Sequence, residues 1–386
     1  MTHVFRVLIA ALIPVFLLTG CWDIKGIEDT NYFTAVGMDF KDGKYVVYAQ
    51  MLDFAYVAKQ EGGKMGQSTS VWTGRGEGNT ITDAFNYLNE TAQQRTFTGH
   101  VSSLVLSESA LEHGIDEFLD GLSRYRETRF TQWVFGTREP IDKLFMVHPF
   151  FDVSPLISIL HQPVSAYRQY SYIRPYRMYK TNALLREPGS TLLLPSLTIE
   201  DKVWKQEERS SPKLKLNGVY PIYQRKLKSF VDEEHMPGVR WLTRSTRRDS
   251  IPIYKDGEAV ASVVVTFPKF SIIPKAAGQH VTFDVHFKAV AYLAELINTD
   301  FSETDIKQGT ADQIKKEIKE TFDYAKDKSI DIYQFEHELY RKAFADWSRL
   351  TANGKEPLAY SLGDIDINIK VSHSGMYRAK KHSPDY

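Results

Sequence analysis

The sequence predicts a multidomain protein of the α+β or mixed α/β class, with about three domains whose mixed or antiparallel sheets are flanked by helices. The chain has 386 residues, of which 42% are apolar and 25% charged, and these are ordinary values for a globular protein. A single core rarely extends beyond about 250 residues, so the length predicts more than one domain. Strand and helix patterns alternate in the first half, and amphipathic helices accompany alternating strands in the second.

The first half reads as strand, helix, strand, helix and strand. Residues 32–39 and 44–52 flank Asp42-Gly43, a dipeptide that favours tight hairpin turns, and predict an opening hairpin. Apolar residues recur at helical spacing over 81–93, behind Thr80 as N-cap. Three further elements follow: a strand over 101–106, a helical pair over 108–126 broken at Gly114, and a strand over 131–136.

The second half predicts strands and longer helices, after a short helix over 155–161. The predicted strands cover 216–223, 226–230, 250–254, 259–267, 279–293 and 360–372, and the helices cover 232–242, 304–326 and 332–350. Pro268 and Pro274 are expected to interrupt the strands. With the main boundary placed after residues 195–199, the predicted units are an N-terminal mixed α/β domain over 21–200, a middle α+β domain over 201–274 and a C-terminal α+β domain over 275–386.

Cys21 is the single cysteine of the chain and ends the string Leu18-Thr19-Gly20-Cys21, after an apolar run over residues 7–18. That run is shorter than the roughly 20 apolar residues of a spanning helix, and its pattern is typical of a secretory signal. The string resembles the lipobox, in which the thiol is lipidated and becomes the mature N-terminus. We therefore predict a removed lipoprotein signal peptide over 1–20 and a lipid on Cys21; an accidental cysteine in an ordinary signal peptide is the alternative.

The charges of the chain balance, because lysine plus arginine and aspartate plus glutamate number 48 each. No net basic field exists to attract nucleic acid, so no nucleic-acid partner is predicted. After Cys21 the longest apolar stretches, 260–267 and 285–296, are short or carry charge. The body of the protein is therefore expected to be peripheral to the membrane that the lipid occupies.

Two patterns are candidates for chemistry, and neither is specific. Residues 73–78 read Thr-Gly-Arg-Gly-Glu-Gly and could place backbone N–H groups around a phosphate, but their spacing matches no nucleotide motif, so a turn before a helix cap is favoured. His280, Asp284 and His286 share one face of a strand and could ligate a metal, but a sheet surface that contains histidine is favoured. The sequence predicts no catalytic residue, no cofactor and no metal site.

Residues 167–179 interleave tyrosines with arginines, a composition that suits a partner surface or stacking on bases. Packing between domains is the favoured interpretation. Arg124, Arg126 and Arg129 with Glu127 could bind an anion, although ion pairing at a helix end is favoured.

Short motifs stand in a fixed order along almost the whole chain after the signal. They are Gly20-Cys21-Trp22-Asp23, Val36-Gly37-Met38-Asp39, Gly99-His100, the string over 122–129, Pro188-Gly189, Asn217-Gly218-Val219, Trp241-Leu242, the string over 331–335, Tyr340-Arg341, Trp347 and Gly375-Met376. Together they resemble the Ger(x)C family, the lipoprotein C subunits of spore germination receptors.

The resemblance implies a non-enzymatic subunit that its lipid holds on the outer face of the spore inner membrane. It also implies two integral-membrane partners, the A-type and B-type receptor subunits, in a complex that responds to nutrient germinants. Of the residues in these motifs, only Cys21 takes a defined role from the family. Two alternatives stay open: a substrate-binding lipoprotein of a membrane transporter, and a membrane-tethered hydrolase whose catalytic groups are brought together by folding.

Overall fold

Two large β-sheets, one of eleven strands and one of four, organise the part of the protein that the structure describes. The structure is a computed structural model and describes residues 30–52, 70–297 and 302–372. The strands are β1 (Thr30–Lys41), β2 (Lys44–Leu52), β3 (Val71–Gly78), β4 (Arg95–Phe97), β5 (Ser103–Ser107), β6 (Trp133–Thr137), β7 (Tyr176–Arg177), β8 (Thr191–Glu200), β9 (Lys205–Gln206), β10 (Arg209–Ser210), β11 (Lys213–Tyr223), β12 (Lys226–Leu227), β13 (Val231–Asp232), β14 (Arg248–Lys255), β15 (Glu258–Ala277), β16 (His280–Leu296) and β17 (Tyr360–Ser372). The helices are α1 (Ile81–Thr91), α2 (Glu108–Ser123), α3 (Ile141–Phe145), α4 (Pro163–Gln169), α5 (Met178–Arg186), α6 (Glu303–Asp327), α7 (Phe335–Lys342) and α8 (Phe344–Leu350), with 3-10 turns at Phe150–Asp152, Pro155–Ile157 and Glu233–His235.

The first sheet has a parallel centre and antiparallel flanks. Its order is β12-β11-β8-β6-β5-β1-β2-β3, with β13 beside β11, β4 beside β1 and β7 beside β6. β1, β5, β6 and β8 run parallel, and Ala35, Ser103 and Trp133 form one row across the first three. These strands therefore begin at one edge of the sheet, called here the amino edge, and end at the opposite carboxyl edge.

Helices α1 and α2 pack on the first sheet, and each begins at a side-chain cap. The Thr80 hydroxyl accepts a hydrogen bond from Asp83 N at 3.1 Å, and the Ser107 hydroxyl accepts one from Ala110 N at 3.0 Å. Gly114 interrupts α2 with φ at +145°, a conformation that strains any residue carrying a Cβ. The apolar faces of both helices enter one core with the sheet, through Ala84, Phe85, Leu88, Leu111, Ile115 and Phe118.

The second sheet has the order β14-β15-β16-β17 and is antiparallel except for β17, which runs parallel to β16. Helix α6 covers it through Ile306, Ile314 and Ile318. The helix begins at a capping box in which the Ser302 and Asp305 side chains each bond to the other residue's backbone N–H.

Both sheets contribute to one apolar core. Leu193 of β8 and Val219 of β11 pack in the same cluster as Trp241 and Phe283 of the second half. A polar contact adds to this junction, because Gln334 accepts a hydrogen bond from Thr191 N at 3.0 Å and its amide donates to Thr191 O.

A buried ion cluster lies within this core. The Arg240 guanidinium contacts Glu317 Oε2 at 2.9 Å and Asp249 Oδ1 at 3.3 Å. Trp241, which is fully buried, donates its indole N–H to Glu317 Oε2 at 2.7 Å. Burial raises the pKa of Asp249 to about 6, because the charged carboxylate is poorly solvated there. Removing one member of the cluster would leave a buried charge without its partner, which strongly destabilises a protein.

The predicted fold class is confirmed, and so are several individual elements. The hairpin at Asp42-Gly43, helix α1 with its Thr80 cap, the break at Gly114 and helix α6 all form where the pattern placed them. The last strand, β17, has the predicted bounds.

Several local predictions are wrong, among them the following three. The predicted helix over 232–242 is reduced to the 3-10 turn Glu233–His235, and Pro237 follows it closely. The predicted helix over 332–350 divides into α7 and α8, because Ala343 between them has φ of −143° and ψ of +65°. β15 continues through both prolines: Pro268 lies at the register shift between Thr266 and Lys269, and Pro274 lies beyond the end of β14, where β15 is an edge strand.

The domain boundaries after residues 200 and 274 stay predictions. Within 201–274, β11 pairs with β8 of the first sheet, whereas β15 pairs with β16 of the second. Each strand pair crosses one of the two boundaries.

Candidate functional site

A cleft of about 410 Å³ opens beside Trp133 at the amino edge of the first sheet, and it is called here the arginine cleft. The charged side chains that line it are Arg168, Arg174, Arg244 and Arg247. Among the described residues that line the cleft there is no aspartate or glutamate. Arg244 contacts Glu338 outside it at 3.3 Å, whereas Arg168 and Arg247 are exposed. The cleft therefore concentrates positive charge in a chain whose charges balance overall.

Hydrogen bonds between two distant segments of the chain build the arginine cleft. The Tyr167 hydroxyl lies 3.0 Å from the Ser245 hydroxyl. Ser171 N donates to Arg248 O at 3.1 Å, and the Ser171 hydroxyl accepts from Arg247 N at 3.2 Å. The arginines of both segments are thus held on the same opening.

Of the tyrosines in the stretch 167–179, Tyr167, Tyr172 and Tyr176 are buried or partly buried, whereas Tyr170 and Tyr179 are 53% and 60% exposed. The favoured packing interpretation therefore holds for only part of the stretch, and its arginines divide between packing and the cleft. The Tyr172 hydroxyl donates to Glu233 O at 2.6 Å. The Arg177 guanidinium stacks over the Trp133 ring, with its carbon 3.7 Å from the ring centroid. Burial raises the pKa of the Tyr167 hydroxyl.

A second surface, called here the aromatic cluster, consists of Phe150, Phe151 and Trp204 and lies past the carboxyl end of β8. The Phe150 and Trp204 rings meet edge to face at 4.9 Å between centroids, and the Lys213 ammonium lies 4.7 Å from the Phe150 centroid. Phe151 is 94% exposed with φ at +60°, a left-handed conformation that is uncommon for a bulky residue. Exposed, strained aromatic residues are typical of contact surfaces.

A cavity of about 480 Å³ lies between the two halves of the chain, and sequence reasoning did not find it. Its polar lining includes Tyr223, Lys228, His280, Asp331, Glu336 and Tyr360. Asp331 accepts hydrogen bonds from the backbone N–H groups of Phe335 at 2.9 Å and Glu336 at 2.8 Å, yet burial raises the pKa of its carboxyl to about 7. Glu336 accepts bonds from the Tyr223 hydroxyl at 2.8 Å and the Trp347 indole at 3.1 Å.

Folding also brings one serine and one histidine together. The Ser102 hydroxyl lies 2.5 Å from His161 Nδ1 and 3.2 Å from the Thr34 carbonyl oxygen, and His161 Nε2 lies 3.0 Å from Gln50 Oε1. Burial lowers the pKa of His161 to about 3. An imidazole this weakly basic, oriented by an amide instead of a carboxylate, suits a core hydrogen-bond network better than a general base.

The glycine-rich stretch over 73–78 is a strand, so both the phosphate loop and the favoured turn are wrong. It forms β3, on which α1 packs very closely. A Cβ built at Gly76 would lie 2.0 Å from the Ala84 carbonyl oxygen, and one at Gly74 would lie 2.8 Å from the Leu88 side chain. The glycines therefore allow the helix to approach the sheet.

The three residues considered for a metal each have a different partner. Those partners are Ser361 for His280 at 2.8 Å, Lys275 for Asp284, and Asp366 for His286 at 3.2 Å. Residues 30–52, 70–297 and 302–372 contain no group of three or more histidine, cysteine, aspartate or glutamate side chains placed to hold a metal ion.

The charged residues considered for an anion site divide into ion-paired and exposed ones. Arg124 donates to Asp120 at 2.7 Å, and Glu127 contacts Arg95 at 2.5 Å, so ion pairing is confirmed for these two. Arg129 is exposed beside them.

Cys21, the predicted lipidation site, lies outside the described residues. Within the portion of the chain that is described, the helices include none with the length and apolar character needed to cross a bilayer.

Comparisons with known proteins decide the family. The N-terminal domain of spore germination proteins matches residues 23–199, and the spore germination B3/GerAC-like C-terminal domain matches residues 217–375. The chain belongs to the Ger(x)C family. Spore germination protein KC of Bacillus subtilis is 24% identical over 95% of this chain and 94% of its own length, and the putative spore germination protein YfkR of the same organism is 22% identical over 72% of each. The crystal structure of the GerBC protein matches the fold with a TM-score of 0.50, at 15% identity, over 90% of this chain and 99% of that one.

Several Ger(x)C motif residues lie where the two halves of the chain meet. Gly189 has φ at +68°, and a Cβ there would lie 3.0 Å from the backbone of Glu336. The preceding Pro188 carbonyl contacts His337 Nδ1 at 3.0 Å. Pro188 and Gly189 thus pack against α7, and the described motif residues are not among those that line the arginine cleft.

Proposed function

We propose that this Ger(x)C protein is a lipid-anchored subunit of a nutrient germinant receptor that acts by contact with partner proteins and not by catalysis. The observation that carries the proposal is the position of Cys21, two residues before the start of the family match at residue 23. A mature N-terminus at Cys21 would leave both family domains intact and attach them to a bilayer. The proposed location is the outer face of the spore inner membrane.

The proposed partners are the integral-membrane A-type and B-type receptor subunits, and the aromatic cluster is the surface proposed to contact them. Aromatic side chains are enriched at protein interfaces and carry much of their binding energy. Phe151 and Trp204, which are 94% and 50% exposed, are well placed to be buried by a partner.

The polar groups inside the protein support a non-catalytic role. Ser102 and His161 belong to a closed hydrogen-bond network, and Glu336 is engaged by Tyr223 and Trp347. These contacts stabilise packing between elements and leave no nucleophile paired with a competent base among them.

Mass spectrometry of the protein purified from spore membranes tests the anchor. We expect a mature chain that begins at Cys21 and carries a diacylglyceryl adduct. Cys21→Ala should abolish the adduct and impair germination, whereas Thr19→Ala, which keeps a small residue in the lipobox, should retain both. An unmodified thiol at Cys21 in active protein would overturn the proposal.

Co-purification from membranes tests the partners. Phe151→Ala combined with Trp204→Ala should reduce recovery of the A-type and B-type subunits while the lipid adduct persists. The matched control combines Trp72→Ala with Tyr87→Ala, since these aromatic residues are also exposed, at 66% and 56%, but lie outside the cluster. Equal recovery with both double variants would reject the aromatic cluster as the contact surface.

One observation favours a second candidate, the substrate-binding lipoprotein of a membrane transporter. The cavity between the two halves, about 480 Å³, lies in the size range of small-molecule sites and is lined by tyrosines and carboxyl groups. Saturable binding of a single nutrient in calorimetry, lost in Tyr360→Ala, would support this role.

A further inference from the structure

We infer that the amino edge of the first sheet, with the arginine cleft at its centre, faces the bilayer and binds the headgroups of anionic phospholipids. The inference rests on the proposed function only for the position of the lipid anchor. The charge and shape of the edge stand without it.

Positive charge extends from the arginine cleft along the amino edge. Trp133 is the first residue of β6 and also lines the cleft, so the segment just before it lies at the same edge. Arg126 and Arg129 in that segment are exposed. Phosphate groups are the anions that guanidinium groups match best, because their oxygens can accept two parallel N–H bonds.

Exposed aromatic residues accompany these cations. Phe130 and Tyr179 are 44% and 60% exposed, and Tyr179 N donates to Phe130 O at 2.9 Å, which holds the two side by side. Aromatic rings next to arginine and lysine are the usual composition of a surface that rests at the headgroup level of a bilayer.

The chain reaches the first sheet at this same edge. β1 begins at Thr30, five residues before the row formed by Ala35, Ser103 and Trp133. Eight residues lie between Cys21 and Thr30 in the sequence, so the two are separated by at most about 30 Å even for an extended chain. An anchor at Cys21 therefore confines the amino edge to the vicinity of the membrane.

The aromatic cluster lies past the carboxyl end of β8, at the other edge of the same sheet. Docking of the amino edge on lipid would leave that cluster available to a protein. The two surfaces are thus compatible with simultaneous contacts.

Vesicle sedimentation of the mature chain, residues 21–386 with Cys21→Ala, tests the inference without the lipid. We expect binding to vesicles of phosphatidylcholine mixed with phosphatidylglycerol, little binding to phosphatidylcholine alone, and loss of binding at high salt. Each cation near an anionic surface contributes roughly a fivefold gain in affinity. The triple variant Arg129→Gln, Arg168→Gln, Arg247→Gln should therefore bind roughly 100-fold more weakly.

Two control variants make the test specific. Replacing the same three arginines with lysine keeps the charge and should retain most of the binding. Replacing the exposed lysines Lys41, Lys202 and Lys205, which lie at or beyond the carboxyl ends of β1 and β8, with glutamine removes equal charge elsewhere and should change binding little. Far-UV circular dichroism would confirm that every variant is folded.

Three outcomes would overturn the inference: equal binding to both kinds of vesicle, equal loss in the glutamine variants of the arginines and of the lysines, or saturable binding of inorganic phosphate without vesicle binding. The last outcome would assign the cleft to a free phosphate. Because the chain tested carries no lipid, this result is independent of the mass of the Cys21 adduct, and either proposal can fail alone.

Discussion

Replacing Gly76 with alanine should destabilise the protein, because the new methyl group would meet the backbone of α1. The Cβ position lies 2.0 Å from the Ala84 carbonyl oxygen, whereas packed heavy atoms stay about 3.5 Å apart, so the helix would have to withdraw by roughly 1 Å or more. Overpacking of this kind costs about 1–3 kcal/mol. The reduced entropy of the unfolded chain offsets only about 0.4–1 kcal/mol. The clash dominates, and we expect a net loss of about 1–2 kcal/mol.

Urea unfolding followed by far-UV circular dichroism measures this loss. The midpoint should fall by roughly 0.5 M in Gly76→Ala. Thr73→Ala, in the same strand, is the control and should shift the midpoint far less, because it places no new atom between the strand and the helix. A wild-type midpoint for Gly76→Ala would refute the argument that these glycines serve helix packing.

Three further predictions concern the core and the aromatic cluster. Burial raises the pKa of Asp331 to about 7, above its unfolded value of about 3.9. The stability that Asp331 contributes is therefore complete below about pH 4 and is lost as the pH rises to 7. Asp331→Asn should flatten the dependence of the melting temperature on pH across that window, and an unchanged slope would contradict this. Glu317→Ala removes the partner of Arg240 and the acceptor of the Trp241 indole, and should cost about 3–5 kcal/mol in urea unfolding. Phe151→Gly should leave the melting temperature equal or higher, because glycine adopts the left-handed conformation at position 151 without strain, and a lower melting temperature would show that Phe151 contributes to folding.

Elements with strong local signals could be predicted from the sequence, and elements decided by tertiary contacts could not. Asp42-Gly43 specifies its own turn, and a helix with a capping box such as α6 needs no distant partner to begin. The residues over 73–78 have the composition of a loop, but they form a strand because β2 pairs with them. Their glycines have no side chains, which leaves the space that α1 occupies. Pro274 is the opposite case, because proline normally ends a strand but here lies within one. β15 is an edge strand at this point, so no neighbouring strand needs the N–H that proline lacks.

The arginine cleft illustrates why the candidate site was harder to predict than the fold. The stretch over 167–179 has a composition that suits a binding surface, but half of the cleft's arginines, Arg244 and Arg247, lie roughly seventy residues later in the chain. Hydrogen bonds around Ser171 join the two segments, and a serine among tyrosines and arginines carries no signal of such a role. The sequence shows each short run of arginines. Whether these runs meet at the amino edge of the first sheet depends on the register of β6 and β14, which is determined only when the chain folds. The same dependence explains why a chain with no net charge can still present a strongly basic surface.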